Sequence, residues 1–213
     1  MIFTELIEKL NKELTFPLPG LPIQMRMTSN QGLREIMEFQ HSDQPIKSSV
    51  LILLYPGTEF ANPKFVVTLR RTYEGIHSGQ ISLPGGKFET SDIVPVKTAL
   101  RETYEEIGVD PALITIIGKL TELYIPPSNY LVQPFVGFMD SAPLFFPQAH
   151  EVEKIIEIPV NGLLIEENVV MKEITAGGFQ FQAPTFQIEG TTIWGATAMI
   201  LSEFKEILSR SGS

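Results

Sequence analysis

Three glutamates fall within a single turn of a segment whose apolar residues recur at helical spacing. In TALRETYEEIGV (98–109) these acids are Glu102, Glu105 and Glu106. At about 100° per residue they occupy a sector of roughly 100° on one side of a helix, opposite an apolar face formed by Val96, Leu100, Tyr104 and Ile107. Like charges at this spacing cost about 0.2–0.5 kcal/mol per pair, so solvation or a bound cation must offset their repulsion. Oxygen ligands suit Mg²⁺ or Mn²⁺, although such a face, taken alone, is more typical of a solvated helix surface.

The residues that precede this helix favour a site over a plain surface. The segment Pro84-Gly85-Gly86 stands ahead of it, and glycines let backbone amides and carbonyls approach a ligand or a metal closely. Glu89 and Asp92 add two acids, and Arg101 can hold a neighbouring carboxylate through charge-assisted hydrogen bonds. A glycine pair by itself would indicate a simple tight turn. The ordered combination, which ends at Gly108, predicts a ligand or metal site.

Basic and polar residues upstream of the glycines could meet a phosphorylated ligand. Arg70 and Arg71 end a predicted strand, where neighbouring side chains point to opposite faces. At most one of them therefore reaches the site, and Arg70 is the preferred candidate. His77 and Gln80 are predicted to contribute as well, the alternative for His77 being a hydrogen bond within its loop.

The elements that position these residues follow from the apolar periodicity. Helices are predicted over 2–14 and 95–107 and from Trp194, taken as a core anchor, towards the C-terminal end. The segments predicted as strands are 48–56, 64–71, 81–83, 112–125, 129–139 and 154–158, with hairpins over 173–193. The strands and helices do not alternate strictly. This order favours an α/β (α+β) fold in which helices pack on both sides of a mixed sheet.

Length, charge and composition narrow the function classes. The 213 residues are long enough for one sizeable core. With 16 Lys and Arg against 25 Asp and Glu, the net charge of −9 repels nucleic-acid backbones and anionic membrane surfaces. The absence of cysteine excludes disulfides, thiolate zinc sites and cysteine nucleophiles. Because no signal peptide or membrane span is recognised either, a cytoplasmic protein without nucleic-acid or membrane partners is expected.

Residues 86–109 resemble the Nudix box, the signature of the Nudix hydrolases. That pattern runs from a glycine through an isolated acid to Arg-Glu, a pair of acids, and a glycine followed by an aliphatic residue. The matching residues here are Gly86, Asp92, Arg101-Glu102, Glu105-Glu106 and Gly108-Val109. The isolated acid is Asp92 rather than Glu, and eight residues rather than seven separate it from Arg101. Thr103 stands where an aliphatic residue is usual.

The residues before the box resemble the coenzyme A pyrophosphatase branch of that family. This branch has an Arg, a His-x-Gly-Gln and a Pro-Gly-Gly, and it shares the Asp and the extra residue in the box. The matching residues here are Arg70, His77, Gly79-Gln80 and Pro84-Gly85-Gly86. The segment IWGATAMIL (193–201) is similar as well. The resemblance covers about residues 48–140, is patchy beyond them and leaves out residues 1–40.

The resemblance implies a Nudix-like α/β/α sandwich with a mixed β-sheet between helices. We expect a single Nudix domain over 1–213 that carries a helical extension over 1–40, the alternative being that residues 1–40 form a separate appendage, and a homodimer is compatible with the fold. Glu102, Glu105 and Glu106 would hold Mg²⁺ or Mn²⁺ together with the Gly85 carbonyl. The catalytic residues would be Arg101, which orients a glutamate, with Glu102 and Glu105. Substrate contacts would come from Arg70, His77, Gln80, Gly85 and Gly86.

The implied reaction is metal-dependent hydrolysis of a diphosphate linkage in a nucleoside diphosphate derivative. The first expectation is coenzyme A or acyl-CoA, which would give 3′,5′-ADP and 4′-phosphopantetheine. Alternatives are a nucleoside triphosphate, a dinucleotide or a nucleotide sugar, a Nudix-fold binding module without catalysis, and an acidic helix in an unrelated α/β protein. The identity of the general base is left open. The candidates inside the box are Glu102 and Glu105, and those outside it are Glu122, Glu151 and Glu153.

Overall fold

Helices lie on both sides of a central β-sheet in a computed structural model, which describes residues 2–29, 44–58, 61–71, 79–176 and 178–210. The α-helices of the described residues are α1 (Phe3–Glu13), α2 (Leu21–Gln24), α3 (Pro95–Ile107), α4 (Val160–Leu164) and α5 (Gly195–Ser209). The first strands are β1 (Ile46–Tyr55), β2 (Lys64–Arg70), β3 (Ile81–Ser82), β4 (Gly85–Lys87), β5 (Thr115–Lys119) and β6 (Leu123–Ile125). They are followed by β7 (Tyr130–Phe138), β8 (Val152–Pro159), β9 (Val169–Ala176), β10 (Phe179–Ile188) and β11 (Thr191–Ile193).

The large sheet is mixed because its two central strands are parallel. Strands β1 and β7 pair in parallel from Ile46–Tyr130 to Leu54–Phe138, and the pairings of the remaining strands within the described residues are antiparallel. The strand order is β3-β2-β1-β7-β5, with β4 beside β1, β6 beside β7 and β8 beside β2. Strands β9, β10 and β11 form a separate antiparallel sheet. The predicted mixed sheet is confirmed.

Side chains of β1 alternate between two cores, as the period of a strand requires. Ile52 and Leu54 join the core that α1 and α5 cover. Leu51 and Leu53 join the opposite core, which α3 covers. Helices therefore pack on both faces of the sheet, and the predicted fold class is confirmed.

Helix α3 begins and ends where the sequence predicts. Pro95 occupies the start, where a missing N–H is tolerated, and Gly108 ends the helix in the left-handed region at φ 75°. The predicted division of its faces is confirmed for Leu100 and Ile107, which are buried, and is wrong for Tyr104 and Glu106. Tyr104, assigned to the apolar face, is 56% exposed, whereas Thr103 and Glu106 are buried. The face of the helix that carries Ala99, Thr103 and Glu106 packs towards the sheet. Glu106, one of the three acids, therefore lies on the buried side.

The segment 112–125, predicted as one strand, is divided into a short 3₁₀ turn, β5 and β6. The ladder with β7 is irregular between Ile116 and Gly118. The backbone N–H and hydroxyl of Thr121 then donate to the carboxylate of Glu203 on α5, at 3.2 and 2.7 Å. These bonds draw the chain out of the sheet between the two strands.

The same carboxylate attaches the N-terminal segment. Glu203 is fully buried and accepts the backbone N–H of Gly20 at 3.0 Å and the side-chain amide of Gln24 at 2.8 Å. Helix α1 contributes Leu6 and Leu10 to the core that α5 covers. None of the helices in the described part of the chain combines the length and the apolar character that crossing a bilayer demands.

Candidate active site

The glycine pair brings the backbone of β4 against the acidic helix. Strand β4 pairs with β1, so that Gly86 lies opposite Ser49. A Cβ atom on Gly86 would lie 2.5 Å from both carboxylate oxygens of Glu102. Gly85 has a φ of 153°, and a Cβ there would lie 2.6 Å from the Cα of Val50. Glycine at position 86 therefore leaves room for the Glu102 carboxylate, and glycine at position 85 lets β4 approach β1.

Glu106 is buried at the same place. Its Oε2 accepts the backbone N–H of Gly85 at 3.2 Å, and its Oε1 lies 3.8 Å from Nη2 of Arg70. The pKa of Glu106 is raised to about 7, chiefly by burial; Arg70 and the Gly85 N–H oppose the shift, and the negative charges of Glu102 and Glu151 add to it. A carboxylate in this position attracts a cation.

A second arginine holds the other two acids of the helix. Arg101 donates through Nη1 to Oε1 of Glu102 at 2.9 Å and to Oε2 of Glu105 at 2.8 Å. On its other side, Arg101 donates through Nε to Oδ1 of Asp92 at 2.9 Å and through Nη2 to Oδ2 at 3.1 Å. Asp92 is buried and also accepts the hydroxyl of Thr98 at 2.8 Å. The predicted orienting role of Arg101 has a geometric basis, and Asp92 fixes the arginine.

The electrostatics of this cluster follow from the same contacts. The hydrogen bonds from Arg101 lower the pKa of Asp92 to about 2, and the pKa of Arg101 is raised in turn. Burial raises the pKa of Glu102, although Arg101 opposes the shift. The guanidinium of Arg101 therefore remains charged, and it holds Glu102 against β4.

A cavity of about 620 Å³ opens beside these residues. Five charged side chains line this cavity: Arg70 on β2, Lys87 on β4, Glu102 and Glu106 on α3, and Glu151 directly before β8. Other walls are aromatic and aliphatic, and come from the turn after α2, from β10 and from the start of α5. The cavity thus joins a charged end to an apolar end.

Most of the predicted site residues meet at the charged end. The cavity lining includes Arg70, Gln80, Gly85, Gly86, Glu102 and Glu106. Glu105 is not part of that lining, because its side chain is half exposed and turned to Arg101. His77 lies outside the described residues. Of the five residues between which the general base was left open, Glu102 and Glu151 line the cavity.

Two features of the site have no counterpart in the sequence prediction. Trp194, expected to anchor the core, is half-buried and lines the cavity, with its ring 5.9 Å from that of Phe181. Asp92, counted with Glu89 among the acids ahead of the helix, is buried against Arg101. The hydrogen-bond preference of an arginine fork for a nearby carboxylate is the signal that could have identified this pair.

The donor chemistry fits a divalent cation, although the side chains do not enclose one. Within the described ranges, no three His, Asp or Glu side chains lie close enough to hold one metal ion. Nη2 of Arg70 does, however, lie 3.4 Å from the Gly85 carbonyl and 3.8 Å from Glu106. The Gly85 carbonyl and the Glu106 carboxylate, both expected to bind a metal, therefore already lie beside the same cationic side chain. Oxygen ligands of this kind suit Mg²⁺ or Mn²⁺.

Comparison with known proteins relates the chain to one family. Residues 45–170 match the family model described as NUDIX domain. The chain is 31% identical over 147 residues to "Uncharacterized Nudix hydrolase NudL" of Yersinia pestis (strain Pestoides F), covering 69% of this chain and 73% of that protein. It is 34% identical over 174 residues to "Nudix hydrolase 22, chloroplastic" and 33% identical over 164 residues to "Nudix hydrolase 15, mitochondrial", both of Arabidopsis thaliana. These matches cover 76% and 74% of this chain.

The chain spans only 57% of the length of each plant relative. Among solved structures, a MutT/nudix family protein from Enterococcus faecalis aligns with a TM-score of 0.52 at 13% identity. The alignment covers 88% of this chain and 72% of that protein. At this identity the likeness concerns the fold alone.

Proposed function

Because the chain belongs to the Nudix hydrolase family, we propose that it hydrolyses a diphosphate linkage in a nucleotide derivative with Mg²⁺ or Mn²⁺ as cofactor. One observation carries the proposal: the box residues Gly86, Glu102 and Glu106 line one end of a single cavity together with Gly85, which directly precedes the box. Phosphorus in a diphosphate is shielded by negative oxygens. Hydrolysis therefore needs charge neutralisation, an oriented water and a stabilised leaving phosphate.

Glu102, Glu105, Glu106 and the Gly85 carbonyl are the proposed metal ligands. Glu105 can join the others only if its side chain leaves Arg101, to which it is hydrogen-bonded at 2.8 Å. A bound divalent ion would neutralise charge on the diphosphate and lower the pKa of a water. The chain itself supplies the placement: β4 and Arg101 hold Glu102, and the N–H of Gly85 holds Glu106.

The general base accepts a proton from the attacking water and must reach it inside the cavity. Glu102 and Glu151 meet this requirement by position, since both line the charged end. Glu102 already shares one oxygen with Arg101. We therefore propose that Glu151 is tested first as the base, with Glu102 as its alternative.

Coenzyme A or acyl-CoA is the proposed substrate, cleaved to 3′,5′-ADP and 4′-phosphopantetheine. The motif of Arg70, His77 and Gln80 supports this choice through its resemblance to the coenzyme A pyrophosphatase branch. Arg70 and Gln80 line the cavity, where Arg70 can also contact a substrate phosphate. A nucleoside triphosphate, a dinucleotide or a nucleotide sugar is the alternative within the family.

The test is a panel of diphosphate compounds assayed with and without Mg²⁺ or Mn²⁺. We expect turnover of coenzyme A that chelation abolishes, and a loss of at least 100-fold in kcat/KM for Glu102→Gln. Glu153→Gln is the matched control, because Glu153 is exposed and does not line the cavity, and it should stay within twofold.

Each part of the proposal can fail separately. Rapid turnover of another diphosphate beside inert coenzyme A would refute the substrate. Full activity of Glu105→Gln would remove Glu105 from the metal ligands. Ligand-induced thermal stabilisation without product from any compound would favour the binding module instead.

The domain organisation, the oligomeric state and the cellular location of the protein are also proposals. A single domain over 1–213 is supported by the core that α1 and α5 share. The two plant relatives are named chloroplastic and mitochondrial, so a cytoplasmic location for this chain remains a prediction, as does a homodimer.

A further inference from the structure

We propose that Arg70 is a built-in counter-ion of the Gly85 carbonyl and Glu106, and that its guanidinium leaves these oxygens when a divalent ion binds to them. The displaced guanidinium then contacts a substrate phosphate, so that one side chain couples metal binding to phosphate binding. This inference rests on the metal ligands of the proposed function and adds to them the part that Arg70 plays before a metal binds.

The guanidinium of Arg70 lies beside both oxygen groups. Its Nη2 is 3.4 Å from the Gly85 carbonyl oxygen and 3.8 Å from Oε1 of Glu106. The other carboxylate oxygen of Glu106, Oε2, accepts the backbone N–H of Gly85 at 3.2 Å. Oε1 is therefore the oxygen that faces Arg70, and a divalent ion bound to Oε1 and to the Gly85 carbonyl would compete with Arg70 for the same two atoms.

An irregularity of strand β2 coincides with this placement of Arg70. The register between β2 and β8 shifts between Leu69 and Arg70, and Arg70 lies opposite Val152. Such bulges redirect a side chain and are common beside active sites. On the other side of the strand, the backbone N–H of Arg70 donates to the Gln80 carbonyl at 3.0 Å, which fixes the end of β2.

Two hydroxyl groups anchor the guanidinium to the sheet. Nε of Arg70 donates to Oγ of Ser82 at 3.1 Å, and Oγ of Ser82 lies 3.1 Å from Oγ1 of Thr68. The hydroxyl of Thr68 donates to the Ser82 carbonyl at 3.4 Å, so the hydroxyl of Ser82 is the donor between the two hydroxyls. Because Thr68 is fully buried, this chain of hydrogen bonds holds Arg70 in a defined position.

Arg70 is able to leave this position, whereas Glu106 is held in place. The side chain of Arg70 is 33% exposed and that of Glu106 is 4% exposed. The separation of 3.8 Å exceeds hydrogen-bond length, so Arg70 acts on Glu106 mainly through its charge. Without Arg70, the negative charges of Glu102, Glu106 and Glu151 at this end of the cavity would attract a divalent ion more strongly.

Metal affinity tests the proposal, because the expected change has a sign that damage to the site cannot produce. A guanidinium within a few ångströms of a divalent ion repels it, so Arg70→Gln should bind Mn²⁺ about tenfold more tightly than the wild type. The measurement is a titration of the chelator-treated protein with Mn²⁺, without substrate, in which electron paramagnetic resonance reports the unbound ion. A pH of about 8 keeps Glu106 ionised, since its pKa is raised to about 7.

The neighbouring arginine provides the matched control. Arg71 is exposed and is not part of the cavity lining, so Arg71→Gln removes the same charge from the protein without removing a cation from the site. Its Mn²⁺ affinity should stay within twofold of the wild type. In Arg70→Gln/Glu106→Gln the gain in affinity should disappear, because the carboxylate over which the two cations compete is absent.

Ser82→Ala tests the anchor separately from the charge. This variant keeps Arg70 and removes the acceptor of its Nε, while Thr68 retains the Ser82 carbonyl as its own acceptor. Mn²⁺ should bind about threefold more tightly, since a weaker anchor makes Arg70 easier to displace. An affinity equal to that of the wild type would show that Ser82 does not position Arg70.

Thermal unfolding gives a second readout that requires no hydrolysis. Arg70→Gln leaves the buried charge of Glu106 without its counter-ion, so the melting temperature in the presence of a chelator should fall. Saturating Mn²⁺ should then raise the melting temperature of Arg70→Gln by more than that of the wild type. Equal increases would contradict the proposal.

The coupling to phosphate is measured with a nucleoside diphosphate whose bridging oxygen is replaced by a methylene group, which prevents hydrolysis of the diphosphate. This analogue should tighten Mn²⁺ binding in both proteins, because it can contact the ion directly. The factor should be at least threefold larger in the wild type than in Arg70→Gln, since only the wild type also gains the contact of Arg70 with phosphate. Equal factors would overturn the coupling.

The outcomes separate this proposal from the proposed reaction. Equal or weaker Mn²⁺ binding by Arg70→Gln, beside hydrolysis of coenzyme A by the wild type, would overturn the counter-ion and leave the reaction standing. Tighter Mn²⁺ binding by Arg70→Gln without hydrolysis of any diphosphate would support the counter-ion and refute the reaction. Absence of Mn²⁺ binding to both proteins would refute both proposals.

Discussion

Adding one methyl group at Gly86 tests whether the backbone of β4 positions the Glu102 carboxylate. The Cβ of Gly86→Ala would lie 2.5 Å from both carboxylate oxygens, roughly 1 Å closer than an ordinary van der Waals contact. The carboxylate must then move by about 1 Å, which breaks its 2.9 Å hydrogen bond from Arg101. A displacement of this size can cost about 10²-fold in rate. We therefore expect kcat/KM to fall about 100-fold.

The fold should survive this change, because the group that must yield is the free end of a flexible side chain. We expect a loss of less than about 2 kcal/mol in the free energy of unfolding, the cost of an unfavourable rotamer and a broken hydrogen bond. Gly85→Ala is the contrasting variant. Its Cβ would lie 2.6 Å from the Cα of Val50 at a φ of 153°, so backbone must move and thermal stability should fall by several degrees more.

The assay is steady-state hydrolysis with saturating Mg²⁺, combined with urea unfolding of each variant. Glu102→Ala and the double variant Gly86→Ala/Glu102→Ala complete a cycle. If the methyl group acts only by displacing Glu102, the double variant should be no slower than Glu102→Ala. Losses that simply multiply, or full activity of Gly86→Ala, would refute this account of the site.

Three further predictions concern polar groups elsewhere. Glu203→Ala removes the acceptor of four hydrogen bonds, one buried and three partly buried, and should lower the free energy of unfolding by about 3–5 kcal/mol in urea, with a smaller loss for Glu203→Gln; equal losses would contradict it. The hydrogen bonds from Arg101 lower the pKa of Asp92 to about 2 in the folded protein. The contribution of the ionised Asp92 carboxylate to the free energy of unfolding is therefore complete above the ordinary pKa of an aspartate and is lost as the pH falls through 2. The stability difference between wild type and Asp92→Asn should be about 1.5–3 kcal/mol at neutral pH and shrink below pH 4; a constant difference would exclude the ion pair with Arg101. Burial and Glu157 raise the pKa of Tyr55, whose hydroxyl donates to Glu157 at 3.0 Å, and Tyr55→Phe should cost about 1 kcal/mol in thermal unfolding; an unchanged melting temperature would show that this bond contributes nothing.

Local features of the box helix could be predicted because they depend on neighbours in sequence. The helix over 95–107, its end at Gly108 and the contact of Arg101 with Glu102 all follow from spacing and capping. Which side of the helix is buried depends on the sheet instead. Tyr104 and Glu106 were therefore assigned to the wrong environments: the aromatic ring is exposed and the carboxylate is buried.

Long-range contacts account for the rest of what the sequence did not predict. The break in the strand over 112–125 depends on Thr121 meeting Glu203, which lies more than eighty positions away. The cavity position of Trp194 depends on Phe181 across a separate small sheet. Neither contact leaves a periodic signal in the sequence, since each joins single residues of different elements.

This difference explains why a short motif can identify the chemistry of the site and leave the substrate open. The charged end of the cavity draws most of its side chains from a stretch of fewer than forty residues, between Arg70 and Glu106. The apolar end of the cavity brings Met27 together with Phe181 and Trp194, so it exists only once the N-terminal turn, β10 and α5 have packed together. Substitutions confined to the apolar end should therefore change which substrate is preferred while the charged end keeps its geometry.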